Sequence, residues 1–477
     1  MAGWIILAVL VCLIAVLLVR AALVKAPAQS GAAPAPVTVD GEAAAQHLAQ
    51  MVRIPTVSNY DESLVDDAQF EAFRALLRQL YPAVHAACPP VRCGKTGLLF
   101  RWQGKSAAAP TVLMAHYDVV PVAEEQWQHP PFCGEVFDGE LWGRGTLDTK
   151  ITVLGVLEAA EKRISEGFVP ANDVYFAFAG DEEVAGHGAE DIIAHFKETG
   201  VQPAMVLDEG GAVVQGIFPG VREPIAVIGI GEKGMMNVEF TARSEGGHAS
   251  HPVLPSTLGM LCKAVVNCEE HPMPAHLTQP IRAMLETLTP YMPFGMRILT
   301  ANLWCFGGLL CAMSSKLGGE INAMMRTTFA FTQAEGSKQN NVIPSVARAG
   351  LNVRLVNNDT MDSTVAYLNR RIANDKVSVR VVHGMDASPY ADTAGAHWQA
   401  LRTAVADTWR GSIVSPYLMI ACSDSRHYNG WVRDIYKFSA MQLSTEQRGL
   451  IHNNNERIPV TEVARTVEFF ARLMEKL

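Results

Sequence analysis

Short apolar runs that stop at acidic or histidine residues recur along this chain. Thr111 to Ala115 ends at His116, Val174 to Ala179 ends at Gly180-Asp181-Glu182-Glu183, and Ala204 to Leu207 ends at Asp208. Runs of this length, β-prone and closed by polar residues, predict buried parallel strands. Helical spacing predicts helices over Gln46 to Ile54, Asp67 to Leu80, from Asp148 to about Gly167, Glu190 to Lys197 and Val460 to Leu477. With a further strand at Ile435 to Met441, this alternation predicts an α/β catalytic domain, doubly wound around its sheet.

The pattern changes from about residue 231 to residue 385. The order there is strand (Met235 to Thr241), helix, an apolar insert, two alternating strands (Met324 to Thr332 and Ala347 to Val356), a helix (Met361 to Asn374) and a strand (Val377 to Val382). Adjacent alternating strands imply an antiparallel hairpin, and the whole reads as an inserted ferredoxin-like α+β lid. The catalytic domain then has two parts, 40–230 and 386–477, flanking a lid at 231–385. Residues 277–317, which include Met284, Met292, Phe294, Met296, Trp304 and Phe306, form the insert. They read as a helical pair packed on the lid sheet that also offers an adaptable apolar wall.

The N-terminus follows neither pattern. Trp4 to Val19 is uninterrupted and apolar, and Ala21 to Val24 extends it past Arg20, close to the length that spans a bilayer. A cleaved signal peptide would carry a basic residue before the run. Here none precedes it, whereas Arg20 and Lys25 follow it, so residues 1–25 read as a single-pass membrane anchor. Residues 26–39 read as a linker, with Ala/Pro/Ser/Gly-rich Ala26 to Pro36 as its tether. The length of 477 residues implies two domains. A net charge of -9 with no Lys/Arg cluster argues against nucleic-acid binding. The nine cysteines show no zinc-finger or redox spacing, and Cys88 and Cys93 read equally as a disulfide or as buried thiols.

Carboxylates placed directly after apolar strands are costly to bury unpaired, and a divalent metal satisfies them. The candidate stretches are His116-Tyr117-Asp118, Asp148, Glu182-Glu183, Asp208 and His452, a mixture of histidine and carboxylate that suits zinc. Asp118, two residues past His116, is placed to hydrogen-bond that imidazole. The sequence Gly229-Ile-Gly-Glu-Lys-Gly234 satisfies a dinucleotide pattern, but strand-like residues follow where a helix must start, so that reading is rejected.

Six further motifs complete the picture: Trp127-Gln-His-Pro-Pro-Phe, Leu141-Trp-Gly-Arg-Gly, Glu232-Lys-Gly, Ala301-Asn-Leu-Trp, Arg326-Thr-Thr and Ser423-Asp-Ser-Arg-His-Tyr. With the metal set, they make the chain from about Gln46 onward resemble the di-zinc metallopeptidases of the aminoacylase and glutamate carboxypeptidase type. The nearest branch is that of carboxypeptidase S and the N-fatty-acyl-amino-acid hydrolases. The resemblance implies two zinc ions, with cobalt or manganese as substitutes. His116, Asp148 and Asp208 would hold one, and Asp148, Glu183 and His452 the other. It also implies a cis peptide after Asp148 and Glu182 as the catalytic base. His248 would act on the oxyanion, in single-lid relatives often from a neighbouring subunit of a homodimer. Arg354 and Asn341 would bind the substrate carboxylate, with Ser423 and Asp424 near the substrate terminus. The expected function is hydrolysis of an N-acyl amino acid or of the last bond of a short peptide, outside the cytosol. A dipeptidase without acyl preference and a metal-free binding protein on a dead scaffold are the alternatives.

Overall fold

The computed structural model describes residues 1–27, 34–216, 218, 220–316 and 319–477. Residues 28–33, most of the expected tether, and residue 317 at the end of the insert lie outside that set.

The catalytic sheet has eight strands in the order Val91–Cys93, Gly97–Trp102, Asn172–Ala179, Ser106–His116, Met205–Val214, Asp434–Leu443, Ile225–Glu232, Ile413–Met419. Its four central strands, from Asn172–Ala179 to Asp434–Leu443, run parallel, as the apolar runs of the first three predict. On one side Gly97–Trp102 runs antiparallel to this centre and Val91–Cys93 antiparallel to it in turn; on the other, Ile225–Glu232 and Ile413–Met419 run together against the centre, so the sheet is mixed. Successive residues of a strand face opposite sides. Leu113 and Ala115 therefore join one core, together with helices Gly41–Val52, Lys150–Ser165 and Val460–Met474. Val112 and Met114 join the opposite core, under helix Gly188–Glu198. Burial on both faces explains why these strands show no alternation.

The lid sheet is antiparallel, in the order Thr328–Glu335, Val346–Leu355, Gly234–Arg243, Val377–Met385. Helices Thr257–Glu270 and Met361–Ile372 cover one face and share its core. The second helix starts at a capping box between Thr360 and Ser363, which satisfies two otherwise unpaired backbone N–H groups.

Two expectations about the lid need correction. The strand expected from Met324 starts at Thr328, after a helix Gly319–Met325. The buried ammonium of Lys233 takes the carbonyls of Ala323 (2.8 Å) and Arg326 (2.9 Å), groups a helix end leaves free. The apolar insert, moreover, does not pack on the lid sheet. Ile281, Met284, Leu288 and Met292 join the catalytic core, where helix Gln279–Leu288 lies against edge strand Ile413–Met419. Helical periodicity identifies an apolar face but not its partner.

Candidate metal centre

The strand ends deliver their residues to one rim. His116 closes its strand, fully enclosed, with Nε2 3.0 Å from Asp148 Oδ1. The other Asp148 oxygen, Oδ2, lies 3.1 Å from His452 Nε2. Asp148 thus stands between two imidazoles, one oxygen toward each. His452 also meets Glu183 Oε2 at 3.0 Å. The peptide between Asp148 and Thr149 is cis, as the resemblance implies.

Buried backbone hydrogen bonds hold these side chains in place. The Asp118 carboxylate accepts the amides of Glu182 and Glu183, both at 3.2 Å, and lies 3.3 Å from His116 Nδ1. Asp118 therefore fixes two strand ends at once. Glu456, fully buried, accepts the amides of Gly145 (3.0 Å) and Leu147 (2.7 Å) and pairs with Arg144 Nη1 at 2.6 Å. It anchors the loop that carries Asp148. Lys150 donates to the carbonyls of Met51 and Ile54 beneath that loop, and burial brings its pKa down to about 7.

The expected ligand Asp208 does not face this centre. Its Oδ2 accepts the Ser425 amide at 2.8 Å, and its Oδ1 accepts the Glu209 amide. Glu209 stands in its place, with Oε1 3.4 Å from His116 Nε2. A β-bulge is the cause. Asp208 pairs with Lys437 and Gly211 with Phe438, so Glu209 and Gly210 are extra residues opposite no partner. A bulge of this kind re-aims a side chain, and here it turns Glu209 to the rim. Gly210 has φ 146°, and a Cβ there would meet Lys437 Cβ at 2.6 Å. The signal in the sequence was the Gly-Gly that follows Asp208-Glu209.

Donor atoms of His116, Asp148 and Glu183 lie within 4.8 Å of one another, and so do those of His116, Glu182 and Glu209. Burial pushes Glu182 well above the usual carboxyl range, with Asp424 and Glu209 adding to the push against His116. Burial also raises Glu209 to about 8 and Asp424 to about 8. Burial tends to raise Asp148 too, but hydrogen bonds from His116 and His452 outweigh it and hold its pKa well below the usual range. Among the described residues, Glu183 Oε1 and Asp424 Oδ1 are buried without a hydrogen-bond partner. A crowd of buried carboxylates with orphaned oxygens fits a site built for cations.

The expected substrate residues divide. Arg354 reaches across from the lid strand, with Nη1 3.2 Å from Cys422 Sγ, next to the Ser423–Asp424 loop. Ser423 is enclosed: its amide goes to Glu232 Oε2 and its hydroxyl to Ser425. It supports the loop from below and presents no group to a substrate. His248 lies on an exposed two-stranded ribbon opposite Val342, and Asn341 flanks that ribbon, its carbonyl accepting from Ala249 N at 3.0 Å. There the His248 ring bonds Ser250 and not the rim.

Residues 112–476 match the model of peptidase family M20/M25/M40. The chain belongs to that family. It is 33% identical over 430 residues to the N-fatty-acyl-amino acid synthase/hydrolase PM20D1 of Xenopus tropicalis, covering 89% of this chain and 84% of that protein. It is 31% identical over 439 residues to the probable carboxypeptidase S-like 2 of Dictyostelium discoideum, covering 90% and 84%. Among solved structures it resembles the M20 family metallo-carboxypeptidase Sso-CP2 of Sulfolobus solfataricus, with TM-score 0.67, 15% identity and coverage of 92% and 99%. That likeness establishes the shared fold. The chain is thus a metal-dependent hydrolase of the metallopeptidase and amidohydrolase class.

Proposed function

We propose that this enzyme is a di-zinc amidohydrolase that cleaves N-acyl amino acids, or the C-terminal bond of short peptides, at a free carboxylate. The observation that carries this reading is Asp148, which holds one oxygen at His116 and the other at His452. His116, Asp148 and Glu209 would hold one zinc, and Asp148, Glu183 and His452 the other. When bound, zinc polarises an amide carbonyl and lowers the pKa of water.

The chain's own residues supply the rest. Glu182, with a carboxylate oxygen within 4.8 Å of donor atoms of His116 and Glu209, takes a proton from the attacking water, then returns it to the leaving nitrogen. Asp118 keeps Glu182 and Glu183 in register by holding their amides. Arg354 grips the substrate carboxylate, a task its planar fork suits. His248 acts from the lid, on closure of its own chain or across a homodimer. Helix Ala2–Leu23 anchors the chain in a membrane.

The test is a panel of N-acyl amino acids and dipeptides assayed with zinc, cobalt or manganese restored to stripped protein. Turnover of long-chain N-acyl amino acids above dipeptides is expected. Turnover of dipeptides alone would favour the dipeptidase reading, and no metal-dependent turnover of any substrate would overturn the proposal.

A further inference from the structure

The N-terminal helix Ala2–Leu23 is not separate from the enzyme. Arg20 Nη2 donates to Ala301 O at 3.2 Å, and Asn302 Nδ2 donates to Leu17 O at 3.1 Å. Leu17 and Ala21, its only buried residues, lie on this contact with the insert. Elsewhere the helix exposes apolar side chains, from Trp4 to Val19.

The insert continues that surface. Helices Phe294–Thr300 and Leu303–Lys316 meet at a bend of 99°. From Ile298 to Met313 the sequence carries no charge. On the second helix Trp304, Cys305, Gly308, Leu309, Ala312 and Met313 are exposed, at the i, i+1, i+4, i+5 spacing of one helical face. Trp304 is 59% exposed and Leu309 49%. A contiguous apolar stripe of this kind needs a cover.

We infer that the cover is a lipid bilayer, and that Leu303–Met313 lies in it as an interfacial helix beside the N-terminal one. This rests on reading Ala2–Leu23 as a membrane anchor. Depth supports it. Leu17 is six residues before the end of the helix, roughly 9 Å at 1.5 Å per residue. Whatever packs at Leu17 therefore sits below the level of Leu23, at a depth of about 5–10 Å typical of interfacial helices. Charge follows the same level: Arg20, Arg282 and Glu286 line a cleft at the junction, and Trp304, of a residue type enriched at membrane interfaces, stands at its edge. A second protein copy would cover the stripe but leave the N-terminal helix in water, whereas one bilayer covers both.

The insert is also tied to the active site. The tie runs through the helix that follows it, Gly319–Met325, where the carbonyls of Ala323 and Arg326 are held by Lys233, the residue before lid strand Gly234–Arg243. Docking would thus hold the catalytic cleft at a fixed height over the membrane, where a fatty acyl substrate partitions.

Three native cysteines test this in the full chain. Cys12 lies in the N-terminal helix, Cys305 in the stripe and Cys262 on a lid helix, and all are exposed. The purified protein is reconstituted in phosphatidylcholine vesicles and treated with a membrane-impermeant maleimide. Labelling of each thiol is then read by mass spectrometry against denatured protein. Cys305 should react on the order of tenfold or more slowly than Cys262, since a thiol below the headgroups is out of reach of an aqueous reagent. A carbene released from a lipid-phase diazirine should modify the peptide Leu303–Met313. Cys305 labelling as fast as Cys262, or protection without carbene modification, overturns the inference, the latter pointing to a protein cover. Fast labelling of Cys12, or loss of its peptide, overturns the anchor reading separately.

Discussion

The rim and the lid are built by opposite means. On the rim, Glu182, Glu183 and Asp148 are set by hydrogen bonds from backbone amides to enclosed carboxylates: Asp118 holds the Glu182 and Glu183 amides, and Glu456 holds the loop before Asp148. On the lid, His248 sits on an exposed two-residue ribbon and bonds its own turn, while Arg354 meets the catalytic domain through one thiol. The difference separates two tasks. Buried, over-determined carboxylates keep charge in a fixed arrangement at a site that must not reorganise. On the proposed reading, His248 and Arg354 sit on a separate layer that can close over a substrate and exclude water.

The largest effect should come from the rim's unspent carboxylate. Glu182→Gln should retain its metal yet lose about 10²–10⁴-fold in kcat, since the amide keeps the shape but cannot accept a proton. Metal content and turnover measured on the same sample check this. Near-normal turnover in metal-replete protein would remove Glu182 from the chemistry.

Next comes the rim's support. Glu456→Ala leaves the Arg144 guanidinium and two amides unpaired in a buried site, and breaking such a pair costs about 3–5 kcal/mol. Urea unfolding should show that loss, whereas Glu335→Ala, on an exposed lid strand, should shift the midpoint little.

Arg354→Ala sharpens the contrast from the other side. It should leave stability nearly intact while lowering kcat/KM roughly 10–100-fold, the scale of one charged hydrogen-bonded contact at about 1.5–3 kcal/mol. An amidated substrate, lacking the carboxylate, should show no such penalty. Equal losses on both substrates would mean that Arg354 acts on structure.

The smallest effect lies under the rim, where His47 meets Glu158 between helices Gly41–Val52 and Lys150–Ser165. The hydrogen bond to Glu158 raises the His47 pKa, against partial burial. A group whose folded pKa is raised contributes stability in full below its unfolded pKa, near 6.5, and loses it as pH rises through the folded value. The stability gap between wild type and His47→Gln should therefore narrow from pH 6 toward pH 9. A gap that widens with pH would reverse the assignment.

Much of the rim was legible because buried parallel strands announce themselves. An apolar run that stops at His116 or at Glu182-Glu183 places those residues at a strand end, and the sheet gathers such ends at one edge. Glu209 was not legible in the same way. Alternation alone sends either Asp208 or Glu209 to the rim, and a bulge that no propensity encodes decides between them. Strands Ile225–Glu232 and Ile413–Met419, absent from the sequence-based expectation, close the sheet next to the insert. Its misplacement on the lid follows from that gap. Lid order was readable from alternating strands and a capped helix, whereas the distance of His248 from the rim depends on how two domains meet.

On the proposed reading, the bulge makes Glu209, and not Asp208, part of a centre for two metal ions. Metal content per chain, measured on wild type, Glu209→Gln and Asp208→Asn after identical zinc loading and desalting, tests it most directly. Two zinc ions are expected in wild type and in Asp208→Asn, and fewer than two in Glu209→Gln. Full zinc in Glu209→Gln with loss in Asp208→Asn would contradict the account.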